Sequence, residues 1–190
     1  VAGLAGLGAL AAYAGDIVAL YRSRRRRELE LHMAAAMVAF AALPVGGLWL
    51  VGASWAGNEA GIAAAVYLLA LGWLGGLGLA MLYKIVPFLT WLECFAPLMG
   101  RKPTPRVQDL VAEPRARLAF LAYFAAVLGA ALALQCGLPL VFRAAALCQL
   151  LAVSWLILQF YRARRLADLP APWHDHPRPR LLVPRQRSFL

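Results

Sequence analysis

Apolar residues in this chain run in long unbroken blocks separated by short polar segments, rather than alternating with polar ones at a helix or strand period. Blocks of this length suit a bilayer. At roughly 1.5 Å per residue, about 20 helical residues cross a hydrocarbon core about 30 Å thick. Backbone in lipid must satisfy its own hydrogen bonds, so each block is read as a helix. The pattern predicts an all-α polytopic transmembrane bundle of five spans, at residues 1–21, 33–55, 62–83, 118–135 and 138–161. Residues 1–166 form the bundle in this reading, and 167–190 form a Pro/Arg-rich extended tail.

Two blocks carry breaks. Pro44 and the Gly46-Gly47 pair predict a kink in the second span. The third block resumes after Lys84 as IVPFLTWLECFAPLMG and stays apolar to residue 99. A straight helix over 62–99 would be about 57 Å long, far more than the membrane is thick. Beyond Pro87 the expectation is therefore a kinked extension or an interfacial helix, with Trp91 at headgroup level and Glu93 toward water. The short Cys-Gly-Leu-Pro link makes the last two spans a tight antiparallel hairpin.

Charge adds an orientation. Eighteen of the nineteen basic residues lie in 22–27, 84–117 and 162–187, while the turns at 56–61 and 135–139 carry Glu59 as their one charge. By the positive-inside rule the N-terminus is outside and the C-terminus is cytoplasmic. A net charge of +10 in a soluble protein would point to nucleic acid; beside membrane spans it points to anionic headgroups, and no nucleic-acid partner is expected. Only 15% of residues are charged and 63% are apolar, against about a quarter charged in soluble domains. The basic residues are almost all Arg, in a chain rich in Ala, Gly and Pro, as a GC-rich bacterial genome would encode. The bacterial inner membrane is the expected location. The first span begins at Val1 without Met or a polar leader, which predicts a processed start or a missing upstream segment. It is too long, and too basic where it ends, for a cleaved signal peptide.

Small residues recur four apart at Gly8/Ala12, Gly72/Gly76/Ala80 and Ala125/Gly129/Ala133, a spacing that lets helix backbones approach closely in lipid. They serve either packing within the bundle or a face for another subunit. Asp16 and Lys84 are placed near the inner ends of the first and third spans, where they either form an intramembrane ion pair or snorkel separately. Arg143 is expected to snorkel outward, toward Glu59. His32 stands at a span boundary, and no second span His accompanies it, so the chain alone builds no bis-histidine haem. Cys94, Cys136 and Cys148 show no metal-type spacing and are expected as buried thiols. His174, Asp175 and His176 lack a rigid frame for a metal. No GxSxG, P-loop, GxGxxG or HExxH motif is present. Neither a catalytic residue nor a cofactor or metal ligand is therefore assigned. In the tail, Trp173 is a candidate docking anchor, with Arg178, Arg180, Arg185 and Arg187 facing acidic groups or lipid phosphates.

Residues 67–89, YLLALGWLGGLGLAMLYKIVPFL, carry Leu71, Gly72, Trp73, Gly76, Pro87 and Phe88 in a pattern that resembles polytopic bacterial proteins distantly similar to haem-copper oxidase subunit I and the NnrS-like family. That family's pattern holds a His where this chain has Tyr67 and Leu68, so its haem-ligand role does not carry over. The resemblance implies a bundle related to redox-associated membrane proteins. The expected function is a non-catalytic accessory or scaffold subunit of a larger inner-membrane complex, respiratory or photosynthetic, with other membrane subunits as partners. The alternatives are half of a transporter, or a haem or quinone protein using ligands supplied by a partner.

Overall fold

A computed structural model describes residues 2–22, 30–100 and 103–169. They form α1 (Ala2–Arg22), α2 (Leu31–Trp55), α3 (Glu59–Tyr67), a π-helical segment (Leu68–Gly75), α4 (Gly76–Cys94), two 3-10 turns (Ala96–Leu98 and Val107–Leu110), α5 (Glu113–Gln135) and α6 (Pro139–Arg164). No strand occurs among the described residues. Four helical stretches are long and apolar enough to cross a membrane: α2, the continuous run Glu59–Cys94, α5 and α6. Within α1 the apolar stretch Ala11–Leu20 is shorter, so the chain has four to five such helices. Many large apolar side chains, among them Leu121, Leu140, Leu150 and Ile157, are exposed, as a lipid-facing surface requires.

The run Glu59–Cys94 has 36 residues, about 54 Å of helix. The helix continues through Pro87 to Cys94, and Pro87 is buried in the bundle. α2 likewise runs through Pro44. A proline deletes one backbone hydrogen bond, and packing on the remaining faces is enough to keep the helix going.

Both turns at the charge-poor end close in the same way. After α2, Asn58 N–H bonds Ala53 O at 2.9 Å and Gly57 N–H bonds Ser54 O at 3.3 Å; after α5, Leu138 N–H bonds Ala133 O at 2.9 Å and Gly137 N–H bonds Leu134 O at 3.2 Å. These are Schellman closures, which need a left-handed residue after the C-cap. Gly57 (φ 63°) and Gly137 (φ 64°) supply it without a Cβ penalty. Asn58 then starts α3 by accepting a hydrogen bond from Gly61 N–H at 3.0 Å.

α5 is the centre of the bundle: 44% of its most apolar window is buried, against 17–28% for the other three. Toward the Arg-rich end its Ala116, Ala119 and Phe120 pack against Leu31 and Ala35 of α2, Ala80 and Tyr83 of α4 and Leu156 of α6. Toward the other end, Tyr123, Val127 and Ala131 pack with Leu68 and Ala152. The Gly72/Gly76/Ala80 face lies in the crowded interior. A Cβ at Gly72 would come 2.9 Å from Leu68 and 3.3 Å from Ala42, and one at Gly76 would come 2.6 Å from the Phe124 ring. Ala80 is fully buried. α1 stands apart, with every described side chain exposed, and it meets α2 through a Tyr13–Phe40 ring contact.

Candidate functional site

Polar side chains that link the helices gather at three levels. Midway along it, the π segment widens the long helix where α5 and α6 approach. Gly76 N–H bonds Leu71 O in the five-residue π pattern, and the same carbonyl accepts the Tyr123 hydroxyl at 2.6 Å. One residue before the segment, Tyr67 donates its hydroxyl to Gln149 Oε1 of α6 at 2.5 Å. Gln149 is buried. Gly75 leaves the room this needs, because a Cβ there would lie 2.7 Å from the Tyr123 hydroxyl oxygen. Nearer the charge-poor end, Trp49 of α2 donates to Gln135 Oε1 at 3.2 Å. Each contact ties two helices and satisfies groups that hydrocarbon cannot. Two buried polar atoms on the long helix, Trp73 Nε1 and the Tyr83 hydroxyl oxygen, have no hydrogen-bond partner among the described residues.

At the Arg-rich end of α2 and α4 is a Glu-His-Lys chain. Lys84 Nζ is 3.2 Å from His32 Nε2, and His32 Nδ1 is 3.2 Å from Glu30 Oε2. An ammonium only donates, so Nε2 accepts and Nδ1 carries the proton given to Glu30. Of the two readings of Asp16 and Lys84, an ion pair or separate snorkelling, the ion pair is not formed among the described residues. Lys84 turns instead to His32 and to Glu30, 4.0 Å away, and Asp16 is exposed on α1. The physical reason is that α1 lies outside the bundle, whereas α2 packs directly on α4 and brings His32 to Lys84.

Beyond this level, two further sets of contacts fasten the Arg-rich end. Arg164 Nη1 lies 2.6 Å from Glu93 Oε2. Glu93 is thus paired with α6 rather than simply turned to water, and the Trp91 indole donates to Pro105 O at 2.7 Å. Asp168 accepts a fork from Arg162 (Nη2 at 2.5 Å, Nε at 3.1 Å) and a third bond from Arg115 of α5 at 3.3 Å. The Arg162 fork, opposed by partial burial and aided by the charges of Arg162 and Arg115, holds the Asp168 carboxyl below the ordinary carboxylate range. The first tail residues are therefore folded back instead of extended: Leu169 is buried with Cys94, Phe95 and Leu110.

Cys94 is buried as expected, but Cys136 and Cys148 are exposed, one at the hairpin turn and one on the outer face of α6. Glu59 and Arg143 are both exposed and form no ion pair with each other. Among the described residues no group of three or more His, Cys, Asp or Glu is placed to hold a metal. Trp173, Arg178, Arg180, Arg185 and Arg187, with His174, Asp175 and His176, lie outside the described residues. Sequence reasoning overlooked the polar contacts of Trp49, Tyr123, Gln135 and Gln149, although a Gln in an otherwise apolar span is itself a signal. Comparison with known family models, with curated proteins and with solved structures returns no match.

Proposed function

We propose that the chain is a non-catalytic accessory or scaffold subunit of a larger assembly in the bacterial inner membrane, of the respiratory or photosynthetic kind, oriented with its Arg-rich end in the cytoplasm. The observation that carries this proposal is α1. Its described side chains are all exposed, and a Cβ added at Gly6, Gly8 or Gly15 would meet nothing within 4 Å. Small residues that pack nothing in their own chain suit close approach by a helix of another subunit. The polar groups between helices fit the same role, since Tyr67, Tyr123, Trp49 and the exposed Lys84 use their hydrogen bonds to hold one helix to the next. The likeness of residues 67–89 to redox-associated bundles suggests the kind of assembly.

The test is co-purification in mild detergent of a chain carrying Gly8→Leu and Ala12→Leu. The partner subunits should fall away while the four long helices stay inserted. Unchanged stoichiometry would remove the support that α1 gives. One observation favours a second reading, half of a transporter: π segments recur where helices rearrange, and this one sits mid-bundle beside Tyr67 and Gln149.

A further inference from the structure

A shallow open groove of about 640 Å³ runs along α3 into the π segment, lined by Glu59, Ile62, Val66, Tyr67, Ala70 and Leu71. These positions recur at three- and four-residue steps, so the groove follows one helix face. From Glu59 to Leu71 it covers about 18 Å of helix, close to the roughly 15 Å depth of one hydrocarbon leaflet. It opens sideways to lipid and is apolar along its length. Its one charge, Glu59, stands at the end where α3 begins.

The second charge at this end of the bundle is Arg143, near the start of α6. Its chain neighbour Phe142 packs edge-on against Tyr67 in the groove, with ring centroids 5.7 Å apart. The first turns of α6 are thereby brought beside the groove. Among the described residues neither Glu59 nor Arg143 has an ion-pair partner, and both side chains are exposed. A carboxylate at the head of an apolar groove one leaflet deep, and a guanidinium next in the chain to the ring that packs on Tyr67, match a zwitterionic amphiphile.

We propose that this groove binds one phospholipid with a primary-amine headgroup: the ammonium on Glu59, the phosphate on Arg143, and one acyl chain along Ile62, Val66, Ala70 and Leu71. A primary ammonium donates hydrogen bonds to a carboxylate, which a trimethylammonium cannot do. Guanidinium suits phosphate through its planar fork. An anionic headgroup without an amine would meet Arg143 through its phosphate but leave the Glu59 carboxylate without a cationic partner. Only the membrane setting is needed here, not a partner subunit, so the site and the accessory role stand or fall separately.

The experiment is native mass spectrometry of the full chain, delipidated in detergent and titrated with phosphatidylethanolamine, phosphatidylcholine or phosphatidylglycerol carrying identical acyl chains. The ethanolamine lipid should bind about tenfold more tightly than the choline lipid, the equivalent of one charge-assisted hydrogen bond. Glu59→Gln should erase that preference, and it sits on an exposed first turn where folding is safe. Arg143→Gln should weaken both zwitterionic lipids alike. Equal binding of all three headgroups, or a preference that survives Glu59→Gln, would overturn the proposal. So would a dimer that excludes lipid and is lost with Val66→Trp, because the groove would then belong to a second copy of the chain.

Discussion

The two ends of this bundle reverse the chain with the same backbone motif and hold it with different forces. At the charge-poor end, Gly57 and Gly137 take the left-handed position freely, and Asn58 caps the next helix. At the Arg-rich end, α6 closes with the same hydrogen bonds, Ala167 N–H to Arg162 O at 3.0 Å and Leu166 N–H to Ala163 O at 3.1 Å. There the left-handed residue is Leu166, at φ 55°. A leucine in that conformation costs about 1–2 kcal/mol. Tertiary contacts offset it: Leu166 packs against the Cys94–Phe95–Leu110–Leu169 cluster, and Asp168 engages Arg162 and Arg115. One end is thus set by local chemistry, and the other by charges and packing brought from distant parts of the chain.

That contrast can be broken most severely by removing both ionic fasteners. Glu93→Gln with Asp168→Asn should destabilise the Arg-rich end by about 2 kcal/mol, with the discount for partial exposure already applied. Hydrogen exchange should rise in the last turns of α4 and α6 and stay unchanged at residues 53–61. High salt should weaken the unmodified chain in the same region and leave the variant nearly insensitive.

A smaller effect comes from pH. Asp168 has its folded-state pKa depressed, so its contribution is fully present above the ordinary carboxylate pKa and is lost as pH falls through the folded value. Unfolding measured between pH 7 and pH 3 should therefore show the Arg-rich end loosening only at the acid limit, and Asp168→Asn should flatten that part of the slope. At the opposite end, Gly137→Ala should cost about 1 kcal/mol because of its positive φ, independent of salt and pH. The smallest change expected is Asn58→Ala, about 0.5–1 kcal/mol for a lost cap with Gly57 still in place. A salt-dependent Gly137→Ala effect would show that charge governs both ends.

What was legible in the sequence follows the same division. The long helices could be read because lipid imposes a length and a composition on any span, and the hairpin at Gly137 because a glycine marks its own turn. The π segment could not. It differs from an α-helix by one residue of hydrogen-bond register, and it coincides with a hydroxyl on Tyr123, 52 positions from Leu71. At Pro87 a proline's local preference is outweighed by the packing around it, and the helix runs on to Cys94. The Lys84 partner was missed for a similar reason. Depth along the membrane is readable, but which helix lies beside α4 is not, and it is His32 of α2, not the candidate Asp16 of α1, that stands beside Lys84. The Asp168 fork sits in a turn whose left-handed residue is a leucine, which no turn rule would have chosen.

The proposal that this chain serves as a subunit of a larger membrane assembly is tested by the intact mass of what it is released with from native membranes in mild detergent. The expected result is one copy of this chain with a fixed set of different membrane subunits, at a stoichiometry reproduced across preparations. A lone chain, or a homo-oligomer with no other subunit bound, would contradict it.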